Sequence, residues 1–258
     1  MQTLKGMTVL VTRPEPGATR LAKAIEDAGG NAIVMPVMEI AGVKNSFTSI
    51  KPNTSHCDIA IFVSCNAVQY ALQEDSQLLR DCLASAEVAA IGSSTADCLR
   101  EHGFEPDILP VASSYTSEAL LSCDKLQKVE GKNVLIFRGV GGRNKLAEEL
   151  IARGANVNYC EVYKRELATK FDNQKLAVFT KPKHVIFCSS VEVIRNLLQL
   201  AGKSYGTIVK ETPLIVVSNR MREEALKLGF TAELIVSDNA TDQAVVTCLQ
   251  RWSGAKES

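Results

Sequence analysis

The sequence predicts an α/β protein made of two similar units with parallel sheets. Three observations point there. Short β-branched runs alternate with amphipathic stretches of about ten to fifteen residues, the pattern of strand–helix units. Most of the short runs are apolar on both faces, as central strands covered by helices must be. The chain also repeats itself: Val9-Leu10-Val11-Thr12-Arg13 stands 125 residues before Val134-Leu135-Ile136-Phe137-Arg138, and Ile61-Phe62-Val63-Ser64 stands 125 before Ile186-Phe187-Cys188-Ser189. Gly103-Phe104 meets Gly229-Phe230 at a spacing of 126.

In chain order the expected strands are Thr8–Thr12, Ala32–Pro36, Asp58–Val63, Glu87–Ile91, Asp107–Pro110, Asn133–Phe137, Asn156–Val162, His184–Cys188, Pro213–Val217 and Glu233–Val236. Helices fill the intervals. Several are expected to stop at Gly29, Gly103, Gly154 and Gly229, because glycine turns the chain out of a helix at little steric cost. Met38–Val43 and Tyr163–Thr169 occupy equivalent places in the two repeats and read as paired linkers. The repeat alone leaves open whether each unit is contiguous or the halves exchange segments. Two-lobed α/β proteins bind ligands near strand carboxyl ends, so a crevice shared by the units is the expected site.

Composition removes several classes of function. A chain of 258 residues has room for two domains, and 29 basic side chains balance 29 acidic ones, so no surplus exists to grip nucleic acid. No apolar run approaches a membrane span, and the first residues lead straight into a strand rather than a signal peptide. None of the eight cysteines makes a CxxC pair, and the three histidines make no HxxxH pair, so neither a metal site nor a redox dithiol is expected. Free thiols buried as small hydrophobes suit a cytoplasmic protein.

The chemistry gathers where strands end. After the first strand comes Thr12-Arg13-Pro14-Glu15-Pro16-Gly17, and its repeat mate is Arg138-Gly139-Val140-Gly141-Gly142-Arg143. Arg13, Arg138 and Arg143 carry forks that fit carboxylate or phosphate, and Gly139, Gly141 and Gly142 let the backbone approach a ligand closely. A tight turn with solvated arginines is the plainer reading. The segment is no Walker loop and fails GxGxxG, since Asn144 stands at the third glycine, which disfavours a dinucleotide or sugar-nucleotide enzyme. Ser64, Asn66 and Ala67, then Gly92, Ser93 and Thr95, then Ser114, Ser189, Ser190, Ser218 and Asn239 all lie where a strand gives way to a helix. Such residues cap helices, and the free N–H groups beside them bind anions. A polyanionic ligand would then be held by main-chain dipoles and hydroxyls rather than by a lysine field.

No Ser/His/Asp triad, HExxH helix or close carboxylate pair is present. The candidate acid is Tyr163, whose phenol can donate a proton to a leaving hydroxyl, although such a tyrosine more often serves as an amphipathic edge residue. A non-catalytic two-lobed binder of a small anionic metabolite fits the same turns and stands as the alternative.

Taken in order, Val11-Thr12-Arg13-Pro14, Ile61 to Val68, Ala90 to Ala96, Ser114 to Leu120, Phe137 to Arg143, Val162-Tyr163, Phe187 to Ser190 and Ser237 to Thr241 resemble the uroporphyrinogen-III synthase family over nearly the whole chain. The last lobe departs from it: Val217-Ser218-Asn219-Arg220 stands where many members carry a Gly-Pro-Thr-Thr-like turn. The resemblance implies an α/β fold of two similar parallel-sheet, flavodoxin-like domains, built from an internal duplication and joined by a two-stranded linker. One domain would combine residues 1–38 with 166–258 and the other would be 42–163, with linkers at about 38–43 and 163–169. It implies a cofactor-free and metal-free lyase of tetrapyrrole (haem) biosynthesis, expected as a cytoplasmic monomer. Its substrate would be hydroxymethylbilane, a linear tetrapyrrole with eight carboxylates, which loses water and closes with ring D inverted through a spiro intermediate. Domain closure on the ligand would follow from the linkers.

Overall fold

The computed structural model describes residues 3–47, 57–110 and 116–255. Ser114 of the sequence reading lies outside them. The chain forms two compact units, Met1–Glu39 with Glu166–Ser258 and Ile40–Arg165.

The first unit has a five-stranded sheet of β1 (Thr8–Val11), β2 (Asn31–Val34), β8 (His184–Phe187), β9 (Leu214–Val216) and β10 (Leu234–Val236), in the order β2-β1-β8-β9-β10 with every pair parallel. The second has β3 (Met38–Gly42), β4 (Ile59–Phe62), β5 (Glu87–Ala90), β6 (Asn133–Gly139) and β7 (Asn156–Leu167), in the order β3-β7-β6-β4-β5. Its pairs β7-β6, β6-β4 and β4-β5 are parallel. The expected strand at Asp107–Pro110 is reduced to a single parallel bridge between Ala89 and Ile108. Prolines at 106 and 110 leave no N–H for a longer ladder, and the Asp107 carboxylate takes the Val88 N–H instead.

The repeat spacing relates the two sheets. Adding 125 turns β1 into β6, β2 into β7 and β4 into β8, so β7-β6-β4-β5-Ile108 occupies the same order as β2-β1-β8-β9-β10. Each sheet therefore takes two strands from the front of one half and the rest from the back of the other. The duplicated halves have exchanged segments, and the chain passes between the units in β3 and in β7, which are neighbours in the second sheet.

Helices cover both faces. In the first unit these are α1 (Gly17–Asp27), α6 (Val191–Glu211), α7 (Asn219–Lys227) and α8 (Asp242–Ala255); in the second, α2 (Cys65–Leu83), α3 (Ser93–Glu101), α4 (Ser117–Leu121) and α5 (Lys145–Ala152). Gly29, Gly103, Gly154 and Gly229 each stand two residues past a helix end with φ between +84 and +88. Alternate residues of one strand enter different cores: Ala60 and Phe62 pack with α2 and α3, while Ile59 and Ile61 pack with α4 and α5. Phe62 lies beside its register partner Phe137 with ring centroids 4.5 Å apart and planes within 5°, an offset-stacked pair that locks the two central strands.

Among the described residues no helix is long and apolar enough to cross a membrane. Cys65, in the first turn of α2, is joined to Cys98 of α3 by a disulfide, with Cα atoms 5.6 Å apart. The bond lacks the CxxC spacing of a redox dithiol, and it takes Cys65 and Cys98 out of the free thiols that the sequence suggested. The two cysteines are 33 residues apart, and only the side-by-side packing of α2 and α3 brings them together.

Candidate active site

In the second sheet the direction of winding reverses between β4 and β6. That is the position at which open α/β sheets leave a crevice beyond their strand ends. A cavity of about 550 Å³ occupies it, within the range of small-molecule sites. Its walls include Ser64 after β4, Arg138, Gly139 and Arg143 at the end of β6, and Tyr163 and Arg165 on β7.

Tyr163 is placed by a fault in the ladder. The register between β6 and β7 shifts at Arg138/Gly139, so that Arg138 faces Glu161 but Gly139 faces Tyr163. Cys160, Val162 and Tyr163 then all join one core cluster, which strict alternation along a strand does not allow. The Tyr163 ring is 6% exposed and lies 6.0 Å from the Tyr70 ring. It covers Gly139 so closely that a Cβ there would stand 2.6 Å from Cε2. The Tyr163 hydroxyl lies 3.2 Å from the Ser64 hydroxyl. Ser64 is the N-cap of α2 and accepts the Ala67 N–H at 3.1 Å.

Arg138 is 5% exposed and spent on the protein. Its guanidinium donates to the Gly142 carbonyl at 2.7 Å, the Gly139 carbonyl at 3.2 Å and Asn144 Oδ1 at 3.2 Å; it pairs with Glu161 at 3.4 Å and stacks 4.2 Å over the Tyr159 ring. It thus binds the 139–143 turn into one shape, in which Gly141 has φ +73. Arg143 and Arg165 are exposed at the cavity, and neither guanidinium has a partner among the described residues. Lys145, also at the rim, reaches Glu118 Oε1 at 2.6 Å and holds that carboxyl down at about 2. Sequence reasoning missed Arg165, Lys145 and Tyr159. The signal for Arg165 was available, since it stands two residues beyond Tyr163, on the same strand face. Gly92, Ser93 and Thr95 open α3 beside the cavity, whose wall takes only the preceding Ile91. Asn66 and Ala67 form the first turn of α2.

The first unit holds the remaining predicted residues. Arg13 is 8% exposed; it donates to the Gly17 carbonyl at 2.7 Å and the Ala240 carbonyl at 3.3 Å and pairs with Asp242 in the first turn of α8. Gly17 and Gly142, each four residues past its arginine, both receive the guanidinium, so Arg13 and Arg138 do the same structural work in the two repeats. Ser190 and Ser218 cap α6 and α7, accepting the Val193 and Met221 N–H groups at 3.2 and 3.3 Å. Ser189 is half-buried before α6. Asn239 Oδ1 accepts the Thr241 N–H at 2.9 Å and so shapes the turn into α8. The divergent 218–222 segment therefore keeps a hydroxyl cap without the usual glycine-proline turn. Among the described residues no cluster of three or more His, Cys, Asp or Glu side chains could hold a metal ion.

The family model of uroporphyrinogen-III synthase HemD matches residues 19–247. The chain belongs to the uroporphyrinogen-III synthase family. A uroporphyrinogen-III synthase of Salmonella typhimurium is 34% identical over 253 residues, covering 95% of this chain and 100% of that one. The Escherichia coli enzyme of the same name is 30% identical over 249 residues, with the same coverage. The fold is likewise similar to the crystal structure of uroporphyrinogen-III synthetase from Helicobacter pylori, with a TM-score of 0.60 and 17% identity, covering 96% of this chain and 99% of that one. In this member of the family, the cavity with Tyr163 lies wholly within Ile40–Arg165.

Proposed function

We propose that the chain is a uroporphyrinogen-III synthase, converting hydroxymethylbilane to uroporphyrinogen III by dehydrative cyclisation with inversion of ring D. Membership of the family along nearly its whole length is the observation that carries this reading. The hydroxymethylpyrrole ionises readily, because the pyrrole nitrogen supplies electrons to give an azafulvene cation. The C–O bond breaks with its electron pair on oxygen, and the Tyr163 proton completes a water molecule. The cation is then attacked by the substituted carbon of ring D, and the spiro intermediate fragments and recloses. Ring closure releases the proton that returns the phenolate to phenol.

The uncatalysed bilane closes to the uninverted isomer, so the enzyme's task is chiefly geometric, and fixed dipoles suit it better than a strong base. Turn amides at residues 64–67, 92–95 and 139–143 are assigned to substrate carboxylates, with Arg143 and Arg165 as exposed cations. Arg138 is assigned to shaping the 139–143 turn, and Arg13 to shaping its equivalent in the first unit. The protein needs no cofactor in this scheme. It is proposed to work as a cytoplasmic monomer.

The test feeds freshly made bilane to the protein, oxidises the product and separates isomers I and III. Excess isomer III is expected; isomer I alone, as from boiled protein, overturns the reading. Unchanged turnover in Tyr163→Phe would remove that residue from the mechanism.

A further inference from the structure

We propose that Ser64 is a positioning residue, which donates its hydroxyl proton to the Tyr163 oxygen and so leaves the tyrosine's own proton free for the departing hydroxide. The proposal rests on the reading of Tyr163 as the acid. Four observations carry it.

First, Ser64 Oγ, 3.2 Å away, is the hydrogen-bond partner of the Tyr163 hydroxyl among the described residues. Its direction therefore decides where the phenol proton points. Second, Ser64 already accepts the Ala67 N–H at 3.1 Å. A serine hydroxyl has one proton to give, and accepting a bond on its oxygen polarises that proton outward. Third, the ring has little freedom to seek another partner: Gly139 underlies it, Tyr70 stands beside it, and the main chain of Tyr163 is pinned by the Val140 N–H on its carbonyl at 2.8 Å. Fourth, Ser64 is the N-cap of the helical segment of α2 that runs from Cys65 to the break at Asp75, so the phenolate formed when the proton leaves lies at the positive end of that segment's dipole, through a hydroxyl already oriented by it.

Proton and charge balance on this arrangement. The phenol proton goes to the leaving oxygen as the C–O electrons do, the phenolate is held by the Ser64 O–H, and the proton lost in ring closure restores the phenol. The Ser64 bond strengthens as its acceptor gains charge, which lowers the barrier rather than the substrate complex.

Capping and donation are separable by substitution. Aspartate caps a helix as well as serine but, ionised, has no proton to give; threonine does both. Steady-state kinetics with bilane, alongside thermal unfolding, are read for Ser64→Ala, Ser64→Thr, Ser64→Asp, Tyr163→Phe and the Ser64→Ala/Tyr163→Phe pair. Ser64→Ala should lower kcat roughly 10- to 100-fold with KM held, the range for a hydrogen bond to a charged group. Ser64→Thr should restore it. Ser64→Asp should unfold like the wild type yet stay slow, and Ser64→Ala should add nothing in the Tyr163→Phe background. Recovery of kcat in Ser64→Asp would reduce the role to capping and overturn the proposal. So would a raised KM with kcat held in Ser64→Ala, which would place substrate on the serine, or full additivity in the double variant. Wild-type turnover in Tyr163→Phe overturns the reading of the acid itself, and this proposal with it.

Discussion

Gly139 faces Tyr163 directly across the β6–β7 ladder, and the aromatic ring lies where any side chain on Gly139 would have to go. The glycine is required by contact rather than by an unusual backbone angle. Gly139→Ala should displace the ring from Ser64, lowering kcat at least as far as Ser64→Ala. It should cost about 1–3 kcal/mol of stability, as overpacking does. Turnover and urea unfolding of the same preparation check it; wild-type values for both would mean the ring moves aside freely.

Arg138 should behave as a structural residue. A lysine keeps the charge but cannot fork onto Gly139, Gly142 and Asn144 together. Arg138→Lys is therefore expected to lower the stability of the ligand-free protein by about 2 kcal/mol, and Arg13→Lys similarly. Were either residue mainly a substrate contact, KM would rise with unfolding unchanged.

Arg143 and Arg165 should show the opposite pattern. Both are exposed at the cavity without protein partners among the described residues. Replacing either by alanine should leave stability within about 0.5 kcal/mol of wild type and raise KM roughly 5- to 10-fold with kcat little changed. Added salt should shrink that difference, since exposed charges are screened. KM values insensitive to both substitutions would remove them from the site.

The Cys65–Cys98 disulfide ties the first turn of α2 to α3. Reduction by dithiothreitol should destabilise the protein by about 2–4 kcal/mol, the usual worth of such a cross-link. The Cys65→Ser/Cys98→Ser protein should be indifferent to reductant. Equal unfolding midpoints with and without reductant in the wild type would argue against the bond's contributing.

Lys145 holds the Glu118 carboxyl at about 2, below the ordinary carboxylate range. A lowered folded-state value means that the pair supports the fold above the free carboxylate's range and loses that support as pH falls toward 2. In Lys145→Met the Glu118 titration, followed by carboxyl carbon resonances, should move up but stay below the free-carboxylate range, because the Glu118 main chain and the Thr116 hydroxyl still lower it, and high salt should move the wild type the same way.

The structure gathers Tyr163, Arg138, Gly139 and Arg143 around one cavity, and these were candidates on sequence grounds alone. Strand ends announce themselves through glycine and small polar residues, and capping hydroxyls sit one residue before a helix; both are local signals. Arginine is where sequence reasoning went least far. A guanidinium can serve a ligand or its own turn; Arg13 and Arg138 bind their own turns, and Asp242, Ala240 and Glu161 arrive from more distant parts of the chain to complete the set.

Hydrophobic period, helix stops and a spacing of 125 belong to neighbouring residues or to the chain's likeness to itself, so the amino-acid order alone determined the α/β class, the parallel sheets and the doubling. Folding in three dimensions decided which half supplies each strand, the one-residue slip that sets Tyr163 against Gly139, the approach of its hydroxyl to Ser64 and the bond between Cys65 and Cys98. Each of these joins groups 24 to 176 positions apart, and such pairings depend on how sheets stack and where helices land, which no local pattern encodes.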